Sequence, residues 1–517
     1  MSSVIQLFTR RADAGARHPR VSAQIDGGTY DTLHANTSVS GATGPVDYSL
    51  GAARFSSDNR VPNSRLENTT LSSSVGVALG ATANLRFVAR GELEHVGTPG
   101  TTAFGRPDLD AFFDRHDTIG SVSVDQQVNR VFRQRAAYSL AASNQQSTNL
   151  VLDPPYTATF GGRVATRRSN DFLGDTRTSL RRHHASYQAD WRLSTEASHG
   201  DHRLTLLGDW DGERAIVENR LAATTTANSR DNAVVSAQQQ MLWRRVFATV
   251  GGRIEHNQNF GVAIVPRGTL VYVAHEPSRR LGETQVRASA GTGIKEPTML
   301  ESFSESPFFR GNAHLKPERS RTIEIGLEQR LAADRAKVEL AYFDNRFRNI
   351  ISLMTTNPST FEAQFANVGL TRARGLEATA HVAPVAAVHA RAGYTWLASK
   401  ILESASPDDP LFGLGKQAFR RPKHSGFAGA TLQWNRVTAD LNGIFVGRFV
   451  DSDFGLFTPA LVQNPGHTTW DARVTCKLTP QLTALLSIDN LTDRDYSEPF
   501  GYQPLRRVAR AGMRLVF

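Results

Sequence analysis

The chain has 517 residues, a formal net charge of +10 and 40% apolar residues. No apolar run reaches the roughly 18 residues a membrane-crossing helix needs, which excludes such a helix but not a barrel, whose strands are apolar on one face only. The single cysteine, Cys476, excludes a disulfide framework or a cysteine-ligated metal site, and the 59 basic residues form no dense block of the kind nucleic acid would select.

Taken in chain order, residues 1–10 (MSSVIQLFTR) lack the charged start, apolar core and small-residue cleavage site of a secretion signal. A barrel cannot reach the outer membrane without one, so the expectation is a fragment or a reading frame that starts late. Beyond this segment, strand-like alternation recurs. Ile323, Ile325 and Leu327 oppose Glu324, Gly326 and Glu328. Val338, Leu340 and Tyr342 oppose Lys337, Glu339 and Ala341. Leu376, Ala378, Ala380 and Val382 oppose Glu377, Thr379 and His381. Trp470, Ala472, Val474, Cys476 and Leu478 oppose Asp471, Arg473, Thr475 and Lys477, and Leu482, Ala484, Leu486 and Ile488 follow. The chain ends on Ala511, Met513, Leu515 and Phe517 facing one way, with Arg510, Gly512, Arg514 and Val516 facing the other.

The connections alternate in length. Short turns are expected at 41–45, 80–84, 129–131, 244–246, 332–335, 435–437 and 479–481. Long polar segments lie at 97–117, 144–175, 214–231, 294–318, 402–424, 451–466 and 491–505. Soluble sandwiches have no reason to sort loops by parity, whereas outer-membrane barrels have short periplasmic turns and long extracellular loops. The fold expected is therefore all-β, a transmembrane antiparallel barrel of about 22 strands with both ends on the short-turn side. Aromatics near strand ends, Trp191, Trp210, Trp243, Trp396, Trp434 and Tyr342, fit an interfacial girdle or ordinary strand aromatics equally well. Arg391, Arg473, Lys477, Arg510 and Arg514 fall on inward positions, which predicts a positive lumen.

Small motifs carry little chemistry. GTGIKEP (291–297) has a proline where a phosphate loop needs a helix start, and LKPE (315–318) reads as a rigid lead into a strand. His183 and His184 are adjacent, so they face opposite sides and cannot share a metal. Asp58, Asn59, Asn63 and Asp153 sit in loops where calcium is conceivable, but solvated polar loop is the better account. No Ser–His–Asp arrangement is legible. No catalytic residue, metal ligand or cofactor is expected, and the chain does not read as an enzyme. The long loops do combine aromatics with arginines: Phe112, Phe113 and Arg115; Phe303, Phe308, Phe309 and Arg310; Phe412, Phe419 and Arg420; Phe454 and Phe457. Such pairings can hold a large, partly apolar anion, although packing within the loops competes as an explanation for each.

Several stretches resemble the TonB-dependent outer-membrane receptor barrel, cobalamin and siderophore receptors in particular. They are GTGIKEPTMLESF (291–303), GNAHLKPERSRTIEIGLE (311–328), NVGLTRARGLEA (367–378), RRPKHSG (420–426) and DNLTDRDYSEPFGYQPLRRVARAGMRLVF (489–517). SSVIQLFTRR (2–11) is similar to the last strand of the family's plug, so the resemblance divides the chain into a plug remnant at 1–11 and a barrel at 12–517. It implies a bacterial outer-membrane receptor for uptake of a scarce small-molecule ligand, such as a ferric siderophore or cobalamin, with plug and TonB box lacking. From the pairing of aromatics with arginines in the long loops, the ligand contacts expected are Phe112, Phe113, Arg115, Phe308, Phe309, Arg310, Phe419 and Arg420, in extracellular loops. Phe517 is the expected assembly signal. Implied partners are the TonB–ExbB–ExbD complex through the plug segment, outer-membrane lipid and lipopolysaccharide, and the barrel assembly machinery. The alternatives are a passive pore, or a barrel anchoring a surface adhesin or enzyme.

Overall fold

In the computed structural model, residues 18–517 are described apart from 105, 155, 161–162, 168–172, 195–199, 277–280, 307–308, 358–361 and 454–459. The proposed plug remnant at 1–11 lies outside the described residues.

One 22-stranded antiparallel sheet closes on itself. Its strands are, in order, Arg20–Gly28, Thr32–Thr43, Val46–Ser57, Leu66–Leu79, Ala83–Gly97, Phe112–Gln127, Phe132–Asn149, Gly174–Ser194, Asp201–Asn219, Thr224–Trp243, Val246–Asn257, Gly261–His275, Leu281–Lys295, Glu318–Leu331, Ala336–Arg348, Leu370–Val385, Val388–Glu403, His424–Trp434, Val437–Val446, His467–Lys477, Leu482–Asp489 and Val508–Val516. Each pairs with its predecessor, and the first pairs with the last from Ser22 opposite Val516 to Gly28 opposite Arg510. Glycine makes that seam possible. A Cβ on Gly28 would lie 1.9 Å from the carbonyl oxygen of Ala509, and one on Gly512 would lie 2.2 Å from that of Ile25.

Alternation follows the pleat as the sequence predicts. On the last strand Ala511, Met513, Leu515 and Phe517 are exposed on the outer surface, and Arg510, Gly512, Arg514 and Val516 face the lumen. The registers carry this pattern round the ring, so every one of the six tryptophans points outward, Trp434 being 75% exposed. A closed barrel has no unpaired edge, and an apolar exterior around a polar lumen inverts the usual globular arrangement.

Connections sort by parity. One rim has turns such as 44–45, 244–245 and 435–436, with Asn435 at φ +53°, where asparagine tolerates the left-handed conformation of a tight hairpin. The other rim has the long segments 98–111, 150–173, 296–317, 349–369, 404–423, 447–466 and 490–507. Three of these contain hairpins, Tyr156–Phe160 with Arg163–Arg167, Ile351–Asn357 with Glu362–Asn367, and Phe449–Asp453 with Ala460–Asn464. A short helix, Met299–Phe303, is capped by Thr298 and Glu301 acting reciprocally.

Two expectations are corrected. The segment 214–231 is not a long loop: Asp201–Asn219 and Thr224–Trp243 run on as strands to a turn at 220–223. Phe112, Phe113 and Arg115 lie on the strand Phe112–Gln127 rather than in a loop.

Candidate functional site at the long-loop rim

The long-loop rim is held by three sets of contacts. The first sits beneath the segment 296–317. Asn232 Nδ2 donates to Glu255 Oε1 (3.1 Å) and to Glu296 Oε1 (2.8 Å), and Asn257 Nδ2 donates to Glu296 Oε2 (3.2 Å). Arg230 Nη1 donates to the carbonyl oxygen of Pro297 (2.6 Å), while Nη2 meets Glu213 (2.5 Å) and Glu296 (3.5 Å). Glu255 and Asn257 are wholly buried. Glu255 and Glu296 thus share the Asn232 amide, Glu296 and Glu213 share the Arg230 guanidinium, and Glu255 also meets Arg253. Burial, with Glu255 alongside, pushes the Glu296 carboxyl up to about 7.

The second set joins 296–317 to the hairpin that follows it. Arg310 N donates to Ala363 O (2.8 Å) and Phe365 N to Arg310 O (2.9 Å), a strand-like bridge. Asn367 Nδ2 donates to Lys316 O (2.8 Å), and its Oδ1 accepts from Lys316 N (2.8 Å). Residue-by-residue reading of the sequence missed this role for Asn367, although the motif NVGL (367–370) marked the position.

The third set ties three loops together. Asp451, fully buried, accepts from Arg420 Nε (2.7 Å), Phe500 N (2.8 Å) and Ser452 N (2.8 Å). The Arg420 guanidinium lies 4.7 Å from the centre of the Phe419 ring, and Phe419 meets Phe412 edge-on at 6.0 Å.

The eight candidate contacts divide accordingly. Arg420 and Phe419 are committed to the loop tie. Arg310 is held at its backbone, with Phe309 beside it 41% exposed. Phe112 points outward against His95 at 5.6 Å, and Phe113 faces the lumen. Arg115, also inward, sits among Glu92 (3.5 Å), Glu94 (3.3 Å) and Asp117 (3.5 Å). Phe308 lies outside the described residues, as do Phe454 and Phe457. The structure does not bring the candidates into one cluster: Arg115 belongs to the sixth strand of the ring, Arg310 to the loop after the thirteenth and Arg420 to the loop after the seventeenth.

The lumen is mixed in charge rather than positive, which corrects the sequence expectation. The basic residues do face inward, but Arg510 meets Asp489 at 3.0 Å and Arg473 stands opposite Asp440. Elsewhere Arg86 meets Asp47 at 2.7 Å and Arg182 meets Asp211 at 2.9 Å. A 300 Å³ cavity on the inner wall, between Asp26, His34, Asp471, Arg473 and Arg510, shows the same mixture. Among the described residues no group of His, Cys, Asp or Glu is arranged to hold a metal ion. Asn59 and Asn63 spend their amides on Ser64 O and Ala111 O, and Asp58 pairs with Arg65.

A closed 22-stranded ring with an apolar exterior and a polar inner wall is the architecture of an outer-membrane barrel. The family model described as TonB dependent receptor-like, beta-barrel, matches residues 47–491. The chain belongs to this family. Its barrel is an outer-membrane barrel, so the long-loop rim is extracellular and the short-turn rim periplasmic. A vitamin B12 transporter of Vibrio cholerae, BtuB, is 23% identical over 300 residues, a stretch covering 58% of this chain and 44% of that protein. The ferric enterobactin receptor PfeA of Pseudomonas aeruginosa superposes with a TM-score of 0.75 at 14% identity, over 96% of this chain and 80% of that one. The ferric-catecholate import receptor Fiu of E. coli gives 0.75 at 14%, over 97% and 82%. At these identities the solved structures establish the fold.

Proposed function

We propose that the chain forms the barrel of a TonB-dependent receptor that takes up a scarce ligand, a ferric siderophore or cobalamin. The observation carrying this reading is the family match across residues 47–491 of a 22-strand ring. In this reading residues 1–11 belong to the last plug strand and 12–517 to the barrel. The TonB–ExbB–ExbD complex acts on the plug, and the tied loops present the binding surface. Phe309, Arg310, Phe113 and Arg115 are the contacts retained for the ligand, because the first is exposed and the last two face the lumen. Arg420 and Phe419 shape the surface through the loop tie.

The test is uptake of labelled ferric siderophores and cobalamin by receptor-deficient cells expressing the chain joined to a plug domain, with and without TonB. Uptake of one ligand class that depends on TonB is the expected outcome. Equal uptake without TonB would overturn the reading in favour of a passive pore.

A further inference from the structure

The segment 349–369 folds as a hairpin, Ile351–Asn357 with Glu362–Asn367, rising directly from the strands Ala336–Arg348 and Leu370–Val385. Register decides which peptide groups the hairpin uses for itself. Val368 N donates to Ile350 O (2.7 Å), so residues 350, 352 and 354 turn their peptide groups toward the partner strand, and 351, 353 and 355 turn theirs away. The two edges then differ. Along Glu362–Asn367 the outward groups are engaged, Ala363 O and Phe365 N both bonding the backbone of Arg310. Along the other edge only Ile351 N is engaged, by Glu318 Oε1 (2.9 Å). Among the described residues, nothing bonds the N–H and C=O groups of Leu353 and Thr355, and both residues are exposed. The hairpin Phe449–Asp453 with Ala460–Asn464 is the contrast, since Arg420 N donates to Val450 O (3.0 Å) on its first strand. Proteins guard bare edges with lysine or proline. Residues 351–357 (ISLMTTN) contain neither. Beneath this hairpin the outer surface is strongly basic. By register Arg319 and Arg321 face outward with Ile323, opposite Arg348 and Arg346, and Arg346 stands opposite Arg372, with Arg374 one pleat further on. Among the described residues, Arg372 alone of these arginines bonds a carboxylate, that of Asp344.

We propose that the bare edge is a docking site for an extended, acidic segment of a secreted or surface-held protein, which adds a strand along Ile351–Asn357. Leu353 and Thr355 supply the backbone bonds, as in other cases where a peptide extends an exposed sheet edge. Charge sets the composition of the partner. Acidic side chains on the added strand meet the arginines at the root of the hairpin, Arg348 and Arg319, which stand opposite each other. The same arginines argue against a second copy of the chain as the occupant, because edge-to-edge pairing would bring two basic fields together. The contact involves nothing in the lumen, so its failure would leave the transport reading untouched.

The experiment uses the full chain, folded in detergent, and three labelled peptides: alternating glutamate and valine, alternating lysine and valine, and the glutamate peptide with every amide N-methylated. Fluorescence anisotropy measures binding, and hydrogen exchange locates it. The glutamate peptide should bind with a Kd below about 1 mM, at least about tenfold more tightly than either control. Its binding should slow exchange at the Leu353 and Thr355 amides by about tenfold or more. Thr355→Pro removes an outward N–H and spares the hairpin's own bonds, so it should lose the same factor in affinity. Arg319→Glu/Arg348→Glu should lose it as well. Heat-modifiable mobility confirms that each variant is folded. If a variant does not fold, the three peptides and the two amides of the wild type decide. Equal binding of the lysine peptide or of the N-methylated peptide would overturn the proposal, as would a Kd above that limit or unchanged exchange at Leu353 and Thr355. Dimers of the chain alone that Thr355→Pro abolishes would assign the edge to a second copy instead.

Discussion

Arg420 and Asp451 lie in different extracellular loops, and the 2.7 Å bond between them joins those loops beside the backbone bond from Arg420 N to Val450 O (3.0 Å). Asp451 is fully buried and accepts from the backbone of a third loop at Phe500, so the carboxylate is the hub and the arginine supplies its countercharge. Removing the arginine leaves a buried carboxylate half-satisfied, at a local cost of about 1–3 kcal/mol. Arg420→Ala should therefore speed hydrogen exchange in 404–423, 447–466 and 490–507 together by about tenfold or more, with the barrel's unfolding midpoint unchanged. Faster exchange in 404–423 alone would show that the three loops are not coupled.

The seat of the segment 296–317 should depend on pH. Glu296 titrates at about 7 in place of 4.5, so the folded loop holds the proton more tightly than the unfolded chain does. The stabilisation is complete below the ordinary value of 4.5 and is lost as pH rises through about 7. Exchange in 296–317, corrected for intrinsic rate, should rise between about pH 6 and about pH 8 in the wild type. Glu296→Gln, which keeps a neutral side chain of the same shape, should abolish the rise. A rise of equal size in that variant would contradict this assignment.

Gly76 makes room for a luminal arginine. A Cβ there would fall 2.2 Å from Arg86 Nη2 and 2.3 Å from Asp47 Oδ2. Arg86 is buried and bonds Asp47 through both carboxylate oxygens (2.8 and 2.7 Å) and Ser74 (2.8 Å). Gly76→Ala should displace the guanidinium from Asp47 and Ser74 and destabilise the barrel by about 1 kcal/mol, because the atoms it meets are the ends of side chains that can shift. Urea unfolding followed by heat-modifiable mobility measures this, and an unchanged midpoint would refute it.

Phe517 is 70% exposed on the outer face, and its N–H donates to Val21 O (2.9 Å). Replacing the ring by lysine puts a charge on the lipid face while leaving the backbone bond intact. Phe517→Lys should lower the amount of barrel in the outer membrane severalfold; wild-type levels would show that the residue has no part in assembly.

Where the sequence was readable, lipid was the reason. Ile323 to Leu327 and Ala511 to Phe517 alternate because one side meets hydrocarbon, and both were placed on the correct face. Where strands rise above the bilayer, water lies on both sides and the alternation disappears. Arg177, Ser179 and Arg181 face outward on Gly174–Ser194, as do Ser229 and Asp231 on Thr224–Trp243, so 214–231 looked like a loop. The same effect hid the strand bearing Phe112, Phe113 and Arg115. Luminal charge was misjudged for a different reason: inward acids such as Asp47 and Asp211 come from other strands, 39 and 29 residues from Arg86 and Arg182, and only the register sets them side by side. The loop tie at Asp451 was illegible because its three partners span 404–507 and share no local motif.

All but one of the ring's strand pairings join strands that follow one another in the sheet, so they can form in the order of synthesis. The seam of Arg20–Gly28 with Val508–Val516 is the exception. Its entropic cost is modest, since closing a loop of about 500 residues rather than about 10 adds only some ~3 kcal/mol. The difficulty is one of timing. Until Val508–Val516 arrives, the sheet carries two bare edges, each able to accept a strand from another chain. The vulnerable species is thus an open, nearly finished sheet, and any off-pathway aggregate should be joined edge to edge through Arg20–Gly28.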